Sequence, residues 1–248
     1  TDLNVSGNQL TALPDTLGAL TGLTELDARY NKLMTLPDSI AALTQMKKLT
    51  LSGNKFIILP KPIVKLTSLT NLNLVYNQLV TLHDSIAALT ALEKLHLSSN
   101  RLVTLPESMA ALTQMKTLYL GGNKFTMLPK PIVKLTSLTT LDLGSNQLVT
   151  LPDSIASLTS ATKLNLMMNQ LVTLPDTIAS LTALVKLDLY KNQLVTLPDS
   201  IAALTALKEL GLGGNELSNP LSSAVEAWLA ALEAGGCEVK MPEDQDGE

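Results

Sequence analysis

The chain has 248 residues, of which 46% are hydrophobic but only 3% are aromatic, so any core must be aliphatic. Its 18 basic and 22 acidic side chains give a net charge of −4, which argues against nucleic acid as a partner. No stretch is long and apolar enough for a membrane span. The single cysteine, Cys237, excludes an intrachain disulfide and favours a reducing, cytoplasmic location, while a signal peptide upstream of residue 1 stays open.

Asparagine recurs every 23 residues, and this spacing defines ten repeats over residues 1–217. Around each asparagine the pattern is apolar-x-apolar-x-x-Asn-x-apolar-x-x-Leu, usually followed by proline. The first repeat is incomplete and lacks a preceding cap, so we expect further sequence upstream. The ten positions are Asn8, Asn31, Asn54, Asn77, Asn100, Asn123, Asn146, Asn169, Asn192 and Asn215.

One repeat, residues 141–158, shows what the pattern predicts. Leu141 and Leu143 alternate with polar residues, as in a strand that buries one face. The later apolar residues are three or four apart, which predicts a short helical segment opened by Pro152 and Asp153. One repeat cannot bury its own leucines, so the repeats must stack, with the strands in a parallel sheet on the inner side. The two phenylalanines, at leucine positions, are expected in the core.

The repeated asparagines are predicted to be structural. In a stack of turns, each buried backbone group without a partner costs about 1–3 kcal/mol, and an amide side chain can satisfy several such groups. We therefore expect an inward-facing ladder. Its members are Asn31, Asn54, Asn77, Asn100, Asn123, Asn146, Asn169 and Asn192.

Four positions in each repeat are predicted to face the inner side: the residue before the first strand leucine, the residue between the leucines, and the two residues before the asparagine. All four tyrosines occupy such positions, and tyrosine and methionine are typical of protein-binding surfaces. The alternative is that strands simply favour tyrosine. The predicted partner-binding residues are Tyr76, His96, Tyr119, Asp142, Met167, Met168, Asp188, Tyr190 and Lys191.

A shallow depression with an apolar rim is a sharper hypothesis for this side. It would be formed by small residues on adjacent repeats next to larger ones. The alternative is that glycine here only relaxes the turn before the asparagine. The residues concerned are Gly121, Gly122, Gly144 and Ser145, with Tyr119, Met167 and Met168.

The repeat pattern ends after Asn215, and residues 218–241 are predicted to be a helical cap with a possible edge strand. Asn219 and Pro220 suit a helix start, and Gly235 with Gly236 suits its stop. Trp228 is expected to cover the last repeat, although a surface role in partner binding is the alternative. Residues 242–248 form an acidic tail.

The sequence predicts neither catalysis nor a cofactor nor a metal site. His83, Asp84 and Ser85 have the residue types of a hydrolase triad, but they are consecutive and their side chains are expected to diverge. The predicted sheet places His96, Tyr119 and Asp142 in line on neighbouring strands. Because the sheet is open and offers no nucleophile beside them, we do not expect acid–base catalysis there. Two basic pairs on the outer side are interpreted as a solvated surface, with weak anion or membrane-surface contact as the alternative. They are Lys61 with Lys65 and Lys130 with Lys134.

The 23-residue repeat pattern resembles that of leucine-rich-repeat proteins. It is most similar to the class with Leu-Pro-x-x-Ile-x-x-Leu on the outer side, as in Scribble-type, Ras-suppressor-like, Roco and many bacterial repeat proteins. The resemblance covers residues 1 to about 217. It implies an α/β solenoid, a curved right-handed superhelix with its parallel sheet on the concave face and short helices or turns on the convex face.

The function expected from these patterns is a non-enzymatic, monomeric module that binds a protein partner on the concave face from about Tyr76 to Tyr190. Association through the uncapped N-terminal end is the alternative to a monomer. Two alternatives for function stay open: a regulatory domain of a larger kinase, GTPase or ubiquitin ligase, and a purely structural scaffold.

Overall fold

The computed structural model describes residues 1–241, which form two compact units. Unit 1 comprises Thr1–Asn123 and Lys130–Leu135. Unit 2 comprises Lys124–Pro129 and the chain from Thr136 onward. The predicted acidic tail, residues 242–248, lies outside the described residues.

Unit 1 contains six three-residue strands in sequence order, and the five neighbouring pairs are parallel. Each pair aligns residues 23 positions apart, such as His96 with Tyr119. The strands are β1 (Asp2–Asn4), β2 (Glu25–Asp27), β3 (Lys48–Thr50), β4 (Asn71–Asn73), β5 (Lys94–His96) and β6 (Thr117–Tyr119). Six 3-10 helices follow them: Asp15–Ala19, Asp38–Ala42, Lys61–Lys65, Asp84–Ala88, Glu107–Ala111 and Lys130–Lys134.

Unit 2 repeats this arrangement and adds an α-helix near its end. Its five strands are also parallel and in sequence order. They are β7 (Thr140–Asp142), β8 (Lys163–Asn165), β9 (Lys186–Asp188), β10 (Glu209–Gly211) and β11 (Glu238–Lys240). The 3-10 helices are Asp153–Ser157, Asp176–Ser180 and Asp199–Ala203, and α1 spans Ser223–Ala234.

The strands form because apolar and polar residues alternate over their three positions. In β5 the central Leu95 is fully buried, while Lys94 and His96 are exposed or half-buried. The same holds for Leu164 in β8. Each strand therefore gives one side chain to the core and two to the outer surface of the sheet. The predicted α/β repeat, with parallel strands and short helical turns, is confirmed.

The repeated asparagines occupy the interior, and the eight from Asn31 to Asn192 are 6–8% exposed. Asn100 is representative of their bonding. Its amide nitrogen donates to the carbonyl oxygens of Leu97 (2.9 Å) in its own repeat and Leu74 (3.0 Å) in the preceding one. Its amide oxygen accepts from the backbone nitrogen of Leu79 at 2.9 Å. One side chain thus satisfies backbone groups of two adjacent repeats, which would otherwise be buried without partners.

The outer segments are 3-10 helices of five residues. Most begin after a proline whose extended backbone positions the first turn, as Pro152 does at φ −75° and ψ 155°. Most bury a single apolar side chain, for example Ile155, while the helix Lys130–Lys134 buries both Pro131 and Ile132. Neighbouring helices are also linked, since the Ser108 hydroxyl donates to the backbone oxygen of Asp84 at 2.8 Å. The core is completed by Phe56 and Phe125, whose predicted full burial is confirmed.

The last repeat is followed by α1, which packs its apolar stripe against the 3-10 helix Asp199–Ala203. Trp228 is 5% exposed, and its indole nitrogen donates to the Leu204 carbonyl oxygen at 3.3 Å. The predicted helix start at Asn219 and Pro220 is wrong. The helix begins three residues after Pro220, because the Ser222 hydroxyl accepts from the Val225 backbone nitrogen and caps the first turn.

Candidate protein-binding surface

The outward side chains of the strands, together with the two residues before each asparagine, form a surface that we call the strand face of each unit. The residues before the asparagines are in tight turns with positive φ. Six of them are not glycine: Tyr30, Tyr76, Ser99, Ser145, Met168 and Lys191. This left-handed conformation points their side chains away from the core, and Tyr30 and Tyr76 are 59% and 63% exposed.

In unit 1 the strand face brings two aromatic rings into contact. His96 on β5 is aligned with Tyr119 on β6, and their ring centroids are 4.7 Å apart with an interplanar angle of 42°. Burial lowers the pKa of the His96 imidazole, and the charge of Lys94 lowers it further. The imidazole is therefore neutral at neutral pH. The pair provides an uncharged aromatic platform rather than a cationic site.

The same unit holds a second aromatic contact nearer its start. The Tyr30 ring lies across Gly53 of the next repeat, so that a Cβ built on Gly53 would be 2.5 Å from the Tyr30 Cδ1 atom. Gly53 itself has φ +65°. Glycine is required here both by the backbone conformation and by the ring above it.

In unit 2 the middle column of the strand face is polar. The Asp142, Asn165 and Asp188 side chains each accept a hydrogen bond from the backbone nitrogen two residues later, at 2.9–3.0 Å. Burial is the main cause that raises the pKa of Asp142, and the charge of Asp188 also raises it. The backbone N–H of Gly144 and the Asn165 amide act in the opposite direction. These side chains stabilise their own turns and still present a polar surface to solvent.

Next to this column is a shallow pocket of about 200 Å³. Tyr190 forms one side of it, and the Lys191 ammonium lies 5.0 Å from the centroid of the Tyr190 ring. Lys186 and Glu209 form an ion pair at the other side, which raises the pKa of Lys186 and lowers that of Glu209. At Gly211 the Asp188 carboxylate lies over the glycine, since an added Cβ would be 2.7 Å from one of its oxygens.

The predicted depression is not open at Gly144. This glycine is buried, and an added Cβ would meet the Met167 Cγ and the Asn165 amide at 3.0 Å each. The Met167 side chain fills the space above the glycine, so the expectation of a free floor there is wrong. Met168 is 46% exposed, and its Sδ atom accepts a hydrogen bond from the Ser145 hydroxyl at 3.6 Å. The two methionines therefore form an apolar surface rather than the rim of a hole.

The structure groups the predicted site residues into two sets. Tyr76, His96 and Tyr119 belong to the strand face of unit 1. The strand face of unit 2 contains Asp142, Met167, Met168, Asp188, Tyr190 and Lys191. Half-burial of His96, Tyr119 and Tyr190 means that these rings are held by neighbours, while their remaining surface is available to a partner.

The sequence analysis missed an apolar column outside the strand face. Three residues after the asparagine, four successive repeats of unit 1 have an exposed apolar side chain: Met34 (62% exposed), Ile57 (49%), Val80 (46%) and Val103 (55%). Unit 2 has Val149, Val172 and Val195 at the same position, at 44–48% exposure. The remaining repeats have Thr11, Thr126 and Ser218 there, and the 23-residue period carries the signal.

A second column, one residue after the asparagine, changes along the chain. In unit 1 it starts with Gln9 and is then mostly basic, with Lys32, Lys55 and Arg101 around Gln78. In unit 2 it starts with Lys124 and continues with Gln147, Gln170, Gln193 and Glu216. A buried apolar residue separates the two columns in each repeat, such as Phe56 between Lys55 and Ile57. Both columns therefore point outward along the same edge of the stacked turns.

The hydrolase-like triplet has a structural role. The prediction that its side chains diverge is wrong for His83 and Ser85, because the His83 Nδ1 atom lies 3.0 Å from the Ser85 hydroxyl and accepts from its backbone nitrogen at 3.1 Å. His83 stands where most repeats have proline, and it caps the 3-10 helix Asp84–Ala88. The Asp84 carboxylate accepts instead from Ser108 of the next repeat, at 3.2 Å. The three groups do not form a relay.

Two further features bear on the kind of site. Within residues 1–241, no group of three His, Cys, Asp or Glu side chains is arranged to hold a metal ion. Every helix in that part of the chain is too short or too polar to traverse a lipid bilayer. Cys237 is buried beside α1, and burial raises the pKa of its thiol. A thiol kept protonated in this way is a poor nucleophile.

Comparison with known proteins supports a repeat family of binding proteins. The sequence profile described as leucine rich repeat matches residues 1–56, 67–125, 115–171 and 162–217. No curated protein sequence matches the chain. The solved structures similar to it include two plant receptors and a bacterial internalin.

The Arabidopsis receptor kinase HAESA, solved with the peptide hormone IDA and the co-receptor SERK1, is 30% identical, with a TM-score of 0.74. The ectodomain of the Arabidopsis thaliana receptor kinase GASSHO1/SCHENGEN3, solved with CASPARIAN STRIP INTEGRITY FACTOR 2, is 31% identical, with a TM-score of 0.69. Each match covers 87% of this chain, but only 38% and 30% of the receptor chains.

An internalin, InlF, from Listeria monocytogenes has a TM-score of 0.73 over 96% of this chain and 78% of its own, at 23% identity, and shows likeness of fold alone. The profile accounts for most of the described repeats, and the buried leucines and asparagines explain why it does. This chain belongs to the leucine-rich-repeat family.

Proposed function

We propose that the chain is a non-catalytic interaction module that binds a protein partner on its strand face, the surface that the sequence predicts to be concave. The observation that carries this proposal is the concentration of half-buried aromatic side chains there, in a chain with only four tyrosines and one tryptophan. Rings that neighbours already hold in place lose little conformational entropy on binding, which is why tyrosine dominates binding hot spots.

The two strand faces offer a partner different chemistry. In unit 1, His96 and Tyr119 provide an uncharged platform that suits an apolar or aromatic side chain. In unit 2, the pocket beside Tyr190 is lined by the Asp188 carboxylate and the Lys186–Glu209 ion pair, and the Lys191 cation lies near the Tyr190 ring. This alternation of apolar and charged groups suits a folded protein or a peptide with a matching charge pattern. A phosphate backbone would require a continuous basic surface instead.

Support also comes from the family, since leucine-rich-repeat domains are protein-interaction modules and the similar plant receptors were solved with peptide ligands. A regulatory role in a larger signalling enzyme is the second candidate. The observation that favours it is that the matched repeats of HAESA are 38% of a receptor kinase chain. A cytoplasmic location and a monomeric state are further parts of the main proposal.

The test is to isolate a partner by pull-down from a native lysate and then to titrate it against variants. Tyr119→Ala and Tyr190→Ala should each weaken binding by about 2 kcal/mol or more, because both rings are partly exposed anchors. Their thermal melts should stay close to that of the wild type. A double variant of the outer side, Lys61→Glu with Lys130→Glu, serves as the control and should bind normally. Loss of binding in this control, with both tyrosine variants intact, would contradict the proposal.

A further inference from the structure

We propose that unit 1 has a second interaction surface, which binds an acidic amphipathic α-helix of a partner protein. This surface, the unit 1 flank, consists of the apolar column Met34, Ile57, Val80 and Val103 with the adjacent basic column Lys32, Lys55 and Arg101. It lies on the edge of the repeats rather than on the strand face. It is therefore independent of the function proposed above.

The apolar column alone would not justify the proposal, because single exposed apolar residues are common on protein surfaces. It runs through four successive repeats, however, and two of these repeats are bonded directly along it. The Val80 backbone nitrogen donates to the Ile57 carbonyl oxygen at 3.1 Å. Side chains in such a stack follow one another at about 4.8 Å. Contiguous exposed apolar surface of this kind marks interaction sites.

The basic column specifies the chemistry of the partner. Within residues 1–241, no carboxylate lies within ion-pair distance of Lys55 or Arg101, and Lys32 donates to the neutral Gln9 side chain at 3.1 Å. These cations are therefore available to acidic groups. The valines of the unit 2 column, Val149, Val172 and Val195, stand beside glutamines, and Lys124 at the start of that unit stands beside Thr126 instead of an apolar residue. The combination of exposed apolar and basic columns is thus a property of unit 1 and not of every repeat.

The spacing favours a helix over an extended peptide. A helix places one apolar residue per turn at about 5.4 Å along its axis, close to the repeat spacing of the column. Side chains on one face of an extended chain are about 6.6 Å apart or more. An added strand would also need free backbone groups. Here the backbone nitrogen of Arg101 already donates to the Leu79 carbonyl oxygen at 2.8 Å. The backbone nitrogen of Lys55 likewise donates to the Leu33 carbonyl oxygen at 2.9 Å.

Other occupants fit less well. A second copy packed symmetrically through the same flank would bring two basic columns together, and like charges at an interface are unfavourable. An anionic membrane or a nucleic acid would meet only three cations on a chain with a net charge of −4. An acidic helix complements both columns at once, with its apolar stripe on the apolar column and its carboxylates on the lysines and arginine.

The experiment uses the full chain and a labelled synthetic helical peptide of about 20 residues, with leucine at every third or fourth position and glutamate beside it. Binding is measured by fluorescence anisotropy. Lys55→Gln with Arg101→Gln gives unit 1 the residues of unit 2 and should weaken binding about tenfold. Ile57→Ser with Val80→Ser should weaken it by a similar factor. The matched control, Val149→Ser with Val172→Ser in unit 2, should leave it unchanged.

Three further measurements complete the test. Raising the salt concentration should weaken peptide binding, since the cations are exposed. Tyr119→Ala should have no effect on this peptide, which separates the flank from the strand face. Absence of peptide binding, or equal losses in the unit 2 control, would overturn the proposal. So would tighter binding of anionic vesicles or single-stranded RNA through Lys55 and Arg101.

Discussion

Units 1 and 2 have nearly identical interiors, but their exposed surfaces differ. Asn100 in unit 1 and Asn169 in unit 2 donate to equivalent carbonyl oxygens at 2.9–3.0 Å. On the strand face, by contrast, unit 1 ends in the His96–Tyr119 ring contact after the polar Asn4, Asp27 and Asn73, whereas the first three strands of unit 2 carry only carboxylates and an amide at this position. The interior is constrained by stacking, because every repeat must match its neighbours. The exposed positions are free of that constraint, and any specificity for a partner must reside there.

The largest expected effect tests whether the end of unit 2 depends on its cap. Trp228→Ala should reduce stability by about 3–5 kcal/mol, because it leaves a cavity over the last repeat and removes the bond to Leu204. Hydrogen exchange at Leu210 and Leu212 should accelerate first. The amides of Leu72 and Leu74 in unit 1 are the internal control. Unchanged exchange at Leu210 would show that the cap does not stabilise the last repeat.

The second prediction tests whether the two interiors are equivalent. Asn100→Ala in unit 1 and Asn146→Ala in unit 2 should each lower the free energy of unfolding by about 1–3 kcal/mol, since each leaves buried backbone groups without partners. Circular-dichroism melts of the two variants measure the difference. An unchanged midpoint in either variant would mean that the backbone groups of that unit find other partners.

The third prediction concerns His96, the titrating group of the unit 1 strand face. Its pKa is lower in the folded chain than its ordinary value of 6.5, so the unfolded chain takes up the proton first. The stability that His96 contributes is present above pH 6.5 and is lost as the pH falls from there to the folded pKa. His96→Gln should therefore reduce the loss of stability on acidification. Parallel pH dependences of the two proteins would contradict the assignment.

The smallest expected effect concerns Asp142 in unit 2 and has the opposite sign. Its pKa is raised above 3.8, so the folded chain holds the proton longer than the unfolded chain does. The cost of ionising it is absent below pH 3.8 and is fully present once the pH exceeds the folded pKa. Asp142→Asn should raise the melting temperature at pH 7 and leave it unchanged in acid. Asparagine occupies the equivalent position at Asn73 and Asn165, where its side-chain oxygen accepts from the backbone nitrogen two residues later. The substitution should therefore keep this hydrogen bond.

The sequence predicted the fold well because the fold depends on periodic features. The alternation around Leu141 and the 23-residue spacing of asparagine are sufficient to place strands and turns. The helix start was predicted too early, since Pro220 is a strong local signal and the capping bond of Ser222 depends on where the helix docks. The His83–Ser85 contact depends on the geometry of a 3-10 turn, which residue types alone do not specify.

The candidate site was less predictable, and its role in binding stays a prediction. Period alone places Tyr119 and His96 on adjacent strands, but it gives neither their ring contact nor the lowered pKa of His96. The open floor expected at Gly144 failed because the Met167 side chain leans over it. Such contacts depend on rotamers of neighbouring repeats. The flank could have been found from sequence by comparing the first and third residues after each asparagine.

The left-handed residues before the asparagines have a consequence for how this chain could change. A side chain in that conformation costs roughly 1–2 kcal/mol, and none of the six non-glycine residues there is β-branched, the type that would cost most. Gly7, Gly53, Gly122 and Gly214 show that glycine serves equally well in other repeats. At these six positions the chain is therefore less stable than it would be with glycine, but it gains a side chain outside the core. Replacing Tyr76 or Lys191 by glycine would recover part of that stability and would remove a side chain from the strand face proposed to bind a partner, so the two properties cannot be improved together at these sites.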